Sequence, residues 1–219
     1  MGVDHRLIIE IIRGLRDAEE SYKKWITQNY WNEPPEFVST VSIANRLCEN
    51  LEYAVTLEDG IGGVLKNTKQ RPGKTKSSLN RSGRFDIVVW GEEDYGPIGV
   101  IEVKKVRNFS EPVKSDLHRI CSTLDKSKTI EWGLLAFTTR WWPKKTLNSY
   151  DRLTTKMDTV FENIEDFIAN ERDVDFSNKT IQRHPGDVVV TWDYDSGHPY
   201  EQFAWRAEVI EISRTQHFL

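Results

Sequence analysis

Apolar residues recur along this chain with two periods, one near 3.6 and one of 2, and the switches between them mark out its elements. Ile8, Ile11, Ile12, Leu15, Tyr22, Trp25 and Ile26 predict a helix over Asp4–Asn29, which Asn32-Glu33-Pro34-Pro35 ends. Ile43, Ala44, Leu47, Cys48 and Leu51 predict a second helix over Ser39–Leu51, with Ser39 or Ser42 as its cap. A strand follows at Tyr53–Leu57, and Gly60-Ile61-Gly62-Gly63 reads as a turn. Phe85–Trp90 and Ile98–Val103, the latter running on into Lys104, predict two strands about a polar turn from Gly91 to Pro97. Glu111-Pro112 opens a third helix, to about Ser127, with Leu117, Ile120, Cys121 and Leu124 inward. Trp132–Thr139 is a buried strand expected to close the core sheet. Asp151–Asn170 is a strongly amphipathic helix carrying Leu153, Met157, Val160, Phe161, Ile164, Phe167 and Ile168. Glu171–Gly186 reads as a polar connector. Asp187–Tyr194 and Phe203–Ser213 then form a strand pair, which either extends the sheet or stands as a small accessory unit. Charged residues alternate with apolar ones up to Ile212, the pattern of a half-exposed strand.

The length suits one α/β domain: an N-terminal helix over 1–35, a core over 36–145, and a C-terminal helix and strand pair over 146–219 packed on that core. Apolar residues at 38% and charged residues at 29% suit a globular protein, and a net charge of −4 gives no overall basic signal for nucleic acid. Local charge differs. Lys66–Arg84 holds Lys66, Lys69, Arg71, Lys74, Lys76, Arg81 and Arg84 without one acid, among serines and glycines, so it reads as a basic loop. Cys48 and Cys121 lack metal-ligand spacing and are expected reduced and partly buried, which favours a cytoplasmic setting. No apolar run reaches membrane length and no signal peptide is visible, so no membrane partner is expected.

The chemistry concentrates between Arg84 and Lys105. Residues two apart share a strand face, so Glu102 and Lys104 point one way and Ile101 and Val103 the other. A hairpin brings Asp86 alongside. Two neighbouring carboxylates in an apolar setting repel, and a divalent cation removes that conflict, because hard ions favour carboxylate oxygens. The adjacent lysine can then orient a metal-bound water or steady charge on an attacked phosphate. The bland alternative is a salt bridge between Glu102 and Lys104.

Asp86, fifteen residues, then Glu102-Val103-Lys104, placed on successive strands, resembles the PD-(D/E)XK nuclease superfamily. The resemblance spans Val41–Thr139, under half of the chain, and includes the element order helix, strand, Asp strand, Glu-x-Lys strand, helix, strand. Phe85 departs from the proline of the motif. The resemblance implies a restriction-endonuclease-like core, a small mixed β-sheet flanked by helices. It implies Mg²⁺ or Mn²⁺ held by Asp86, Glu102 and the carbonyl of Val103, with Lys104 catalytic, and hydrolysis of nucleic acid, DNA being the expected polymer. It further implies an extra acid near the metal, for which Glu52 and Glu58 compete while Glu49 lies nearly opposite. A polar side chain from the third helix is also implied, with Lys114, His118 and Arg119 as candidates.

Lys69, Arg71, Lys74, Lys76, Arg81 and Arg84 feed directly into the Asp86 strand, where they could hold a phosphate backbone by sequence-independent charge. Arg140-Trp141-Trp142-Pro143-Lys144-Lys145 mixes aromatics with cations, for packing or for stacking on bases. The first helix either packs on the core or pairs with a second copy as a homodimer. A non-cleaving module that binds nucleic acid or protein on the same fold is the alternative to an enzyme.

Overall fold

A computed structural model describes residues 3–25, 33–68, 83–91, 96–141, 149–170, 179–195 and 198–215. Its elements in chain order are α1 (His5–Trp25), α2 (Glu36–Leu51), β1 (Ala54–Gly60), α3 (Ile61–Lys66), β2 (Arg84–Trp90), β3 (Pro97–Lys105), α4 (Glu111–Lys126), β4 (Trp132–Trp141), α5 (Ser149–Asn170), β5 (Lys179–Asp195) and β6 (His198–Arg214). The strands form one mixed sheet in the order β1-β2-β3-β4-β6-β5. The β3–β4 pairing is parallel and the other neighbours are antiparallel.

Helices cover both faces, so the central strands read as continuous apolar runs rather than alternations. On one face, Ile8, Ile11 and Leu15 of α1 and Ile43 and Leu47 of α2 pack on Ile87, Ile101, Val103, Leu134 and Val209. On the other, Leu117, Ile120 and Leu124 of α4 and Leu153, Met157 and Ile164 of α5 pack on Val88, Val100, Leu135, Phe137 and Ile210. Burying each large side chain stabilises by about 1.5–3 kcal/mol. The apolar face of α1 is spent inside the molecule, against α2 and the sheet. Gly14 allows this: a Cβ there would stand 2.7 Å from the Cα of Ile43.

Several sequence expectations give way to tertiary context. The glycine turn at 60–63 is instead the start of α3, because Ile61, Val64 and Leu65 at helical spacing bury together and outweigh glycine's poor propensity. Helix α2 starts at Glu36, directly behind Pro35. Ser39 is buried inside it and neither serine caps it. Cys48 is exposed rather than partly buried; Cys121 is buried.

Strand β4 does not close the sheet but lies inside it, between β3 and β6. The C-terminal pair extends the sheet, and residues 179–186, expected as connector, already belong to β5. Strand β6 is buried where half-exposure was expected, because its acids find cross-strand partners. Glu208 accepts from Arg183 Nε and Nη2 at 3.0 and 2.8 Å, and Glu211 lies 3.0 Å from His184 Nε2. Among the described residues no helix is long and apolar enough to cross a membrane.

Candidate active site

The β2–β3 ladder pairs Ile87 with Ile101 and Val88 with Val100. One step outward in that register sets Asp86 beside Glu102. Val88 and Val100 belong to the core under α4 and α5, so by alternation Asp86, Glu102 and Lys104 lie on that face. Ile87, Ile101 and Val103 belong to the opposite core. Asp86 is half-buried, and its Oδ2 accepts the Val103 N–H at 2.6 Å, which ties the two strands where the ladder opens.

Helix α4 crosses this face and adds two charged groups. Arg119 Nε donates to Glu102 Oε1 at 2.6 Å, and its Nη2 donates to Asp116 Oδ1. Asp116 Oδ2 sits 3.5 Å from Lys104 Nζ, with no hydrogen bond. The first turn of α2 closes the other side: Glu36 Oε2 is 3.5 Å from Lys104 Nζ, and Oε1 accepts the Lys105 N–H at 3.3 Å.

Four carboxylates, Asp86, Glu102, Asp116 and Glu36, thus meet two cations. Glu102 is 1% exposed. Burial pushes its proton affinity well above the ordinary carboxylate value; Arg119 opposes this, while Asp116 and Asp86 add to it. Asp116 is raised by burial as well, with Lys104 and Arg119 opposing and Asp86 adding. Burial would lower the Lys104 pKa, but Asp116, Glu36, Asp86 and Glu102 outweigh it, so the ammonium is held above its usual value.

This donor set suits a hard divalent cation in its chemistry: oxygen ligands, and more negative than positive groups. Among the described residues no group of three or more Asp, Glu, His or Cys side chains converges as metal ligands do. The set implied by the sequence needs two such side chains, Asp86 and Glu102, with a main-chain oxygen.

Of the α4 candidates, Arg119 reaches the site. Lys114 bonds Glu111 at 2.6 Å and the His118 ring packs edge-on to Phe167. Glu49 and Glu52 are exposed at the far end of α2, Glu52 as its left-handed C-cap. Glu58 is exposed on β1 with φ 56°, at the step between the pairs Leu57–Ile87 and Asp59–Phe85 where the ladder is interrupted opposite Asp86.

Glu36 and Asp116 were not singled out from the sequence. Asp116 did carry a signal, an acid set within the apolar stripe Val113, Leu117, Ile120 and Leu124. Glu36 carried none beyond the preference of acids for helix starts.

Lys69, Arg71, Lys74, Lys76 and Arg81 lie outside the described residues, and Arg84 is exposed at the start of β2. Arg140 does not face a nucleic acid, because it is buried, paired with Glu19 of α1 and set 4.8 Å from the Phe203 ring. Compared with family models, with curated proteins and with solved structures, the chain matches none.

Proposed function

We propose that this chain is a metal-dependent nuclease of the PD-(D/E)XK kind, hydrolysing phosphodiester bonds of DNA on a restriction-endonuclease-like core made by α2, β1 to β4 and α4. The observation that carries the reading is the gathering of Asp86, a buried Glu102 and Lys104 on one sheet face, ringed by charges that leave the acids in excess. Asp86, Glu102 and the Val103 carbonyl would hold Mg²⁺ or Mn²⁺, which when bound supplies Lewis acidity and a water of lowered pKa. Lys104, kept cationic by its acidic neighbours, would steady the negative charge that develops on the attacked phosphate. Arg119 and Asp116 position Glu102 and Lys104 rather than touching substrate. The basic residues from Lys69 to Arg84 would hold the strand's backbone.

Purified protein given plasmid, linear and single-stranded DNA with Mg²⁺ or Mn²⁺ should cut at least one of them, and Asp86→Ala and Lys104→Ala should not. Absence of any cleavage, or full activity in both variants, overturns the reading. The Arg119–Glu102 pair favours a second reading, in which a guanidinium takes the cation's place and the fold binds nucleic acid without cutting it. A salt-sensitive gel shift with no cleavage under any divalent ion would select that alternative.

A further inference from the structure

The parallel strands β3 and β4 leave the sheet side by side, pinned by the Val106 N–H to the Thr138 carbonyl and by Thr139 Oγ1 to the Val106 carbonyl at 2.5 Å. Cations collect at this exit. Lys105 Nζ and Arg107 Nη2 stand 4.0 and 3.6 Å from the carboxylate of Glu33, the acid they share. From α5, Lys156 Nζ and Arg152 Cζ lie 5.7 and 6.0 Å from the centre of the Trp141 ring. Arg107 and Arg152 are exposed, and among the described residues Lys156 makes no ion pair. Burial and the Arg107 guanidinium both lower the Lys156 proton affinity, with Glu33 opposing.

We propose that Arg152 and Lys156, which flank the indole of Trp141, form with Arg107 at the same strand exit a second phosphate-backbone site that takes the nucleic-acid strand beyond the bond being cut. The assignment rests on the nuclease reading for its position relative to the chemistry, and on these contacts alone for its ability to bind. Trp141 lies on the sheet face of Phe137, the register partner of Lys104. Four steps along the strand lead from Phe137 to Trp141, about 13 Å at 3.3 Å per residue. That is about four steps of duplex rise at 3.4 Å each. The indole already carries the two α5 cations, so the site reads phosphates and not bases, and its binding is independent of sequence.

The test uses the full chain and a fluorescein-labelled oligo-dT in EDTA, with fluorescence anisotropy followed across a salt series. Arg152→Ala/Lys156→Ala should weaken binding at least fivefold at low salt and lower the salt slope by about 1.4, since each phosphate contact on a single strand contributes about 0.7. Arg16→Ala/Lys128→Ala, which removes the same charge from exposed positions elsewhere, should leave both values near wild type. Equal binding by the two double variants overturns the site, whether or not the wild-type protein cuts DNA. Selective loss in Arg152→Ala/Lys156→Ala upholds it, even if the wild-type protein cuts nothing and the nuclease reading falls.

Discussion

Arg119 Nε on α4 donates to Glu102 Oε1 on β3 across 2.6 Å, placing the helix's one site-facing guanidinium, among the described residues, on the most buried acid of the cluster. The pair makes the helix and the strand electrostatically dependent on each other. Removing one partner of a buried pair leaves an uncompensated charge, at a cost of about 3–5 kcal/mol. Arg119→Met should therefore lose stability on that scale in urea unfolding. Arg119→Met/Glu102→Met should recover part of it, since apolar side chains replace both charges while Asp116 still lacks its Arg119 donor. A double variant as unstable as the single one would show that the pair is not what holds α4 here.

On the nuclease reading proposed above, Lys104 acts on the substrate. Losing one group that stabilises charge in the transition state costs about 10²–10³ in turnover. Lys104→Ala should fall by that factor in Mn²⁺-dependent cleavage of linear DNA while its circular dichroism stays unchanged. A tenfold loss or less would place Lys104 outside the chemistry.

The raised proton affinity of Glu102 has a definite sign in stability. Below the ordinary carboxylate value of 4.5, folded and unfolded chains both hold the proton and the contribution is full. As pH rises from there through the elevated folded value, the unfolded chain releases its proton first, so stability falls. Asp116 shifts in the same direction. In EDTA, the melting temperature should decline as pH climbs out of the carboxylate range, and Glu102→Gln should flatten that decline. Parallel curves for the two proteins would contradict the assignment.

Gly99 on β3 lies opposite Trp132 on β4, and the indole covers it so closely that a Cβ would stand 2.2 Å from ring carbons. The ring is 6% exposed and has little room to move. Gly99→Ala should cost about 1–3 kcal/mol, the range for overpacking, read as a lower urea midpoint. Gly63→Ala, with open space at its Cβ, is the matched control and should not destabilise.

Much was legible in the residues alone. A period of 2 put Glu102 and Lys104 on one side of β3, and a period near 3.6 marked the inward faces of α1, α4 and α5. Both are properties of neighbours in sequence. The order β4-β6-β5, the burial of Glu208 and Glu211, the arrival of Asp116 and Glu36 beside Lys104, and the selection of Arg119 over Lys114 and His118 came only with the tertiary structure. A charge in a strand looks exposed until its partner is known, and these partners lie on other elements: Arg183 across the sheet, Arg119 on the covering helix. Local period decides which way a side chain points, but only the packed sheet decides what meets it there, because burying a charge is tolerable only once its counter-charge has been brought beside it.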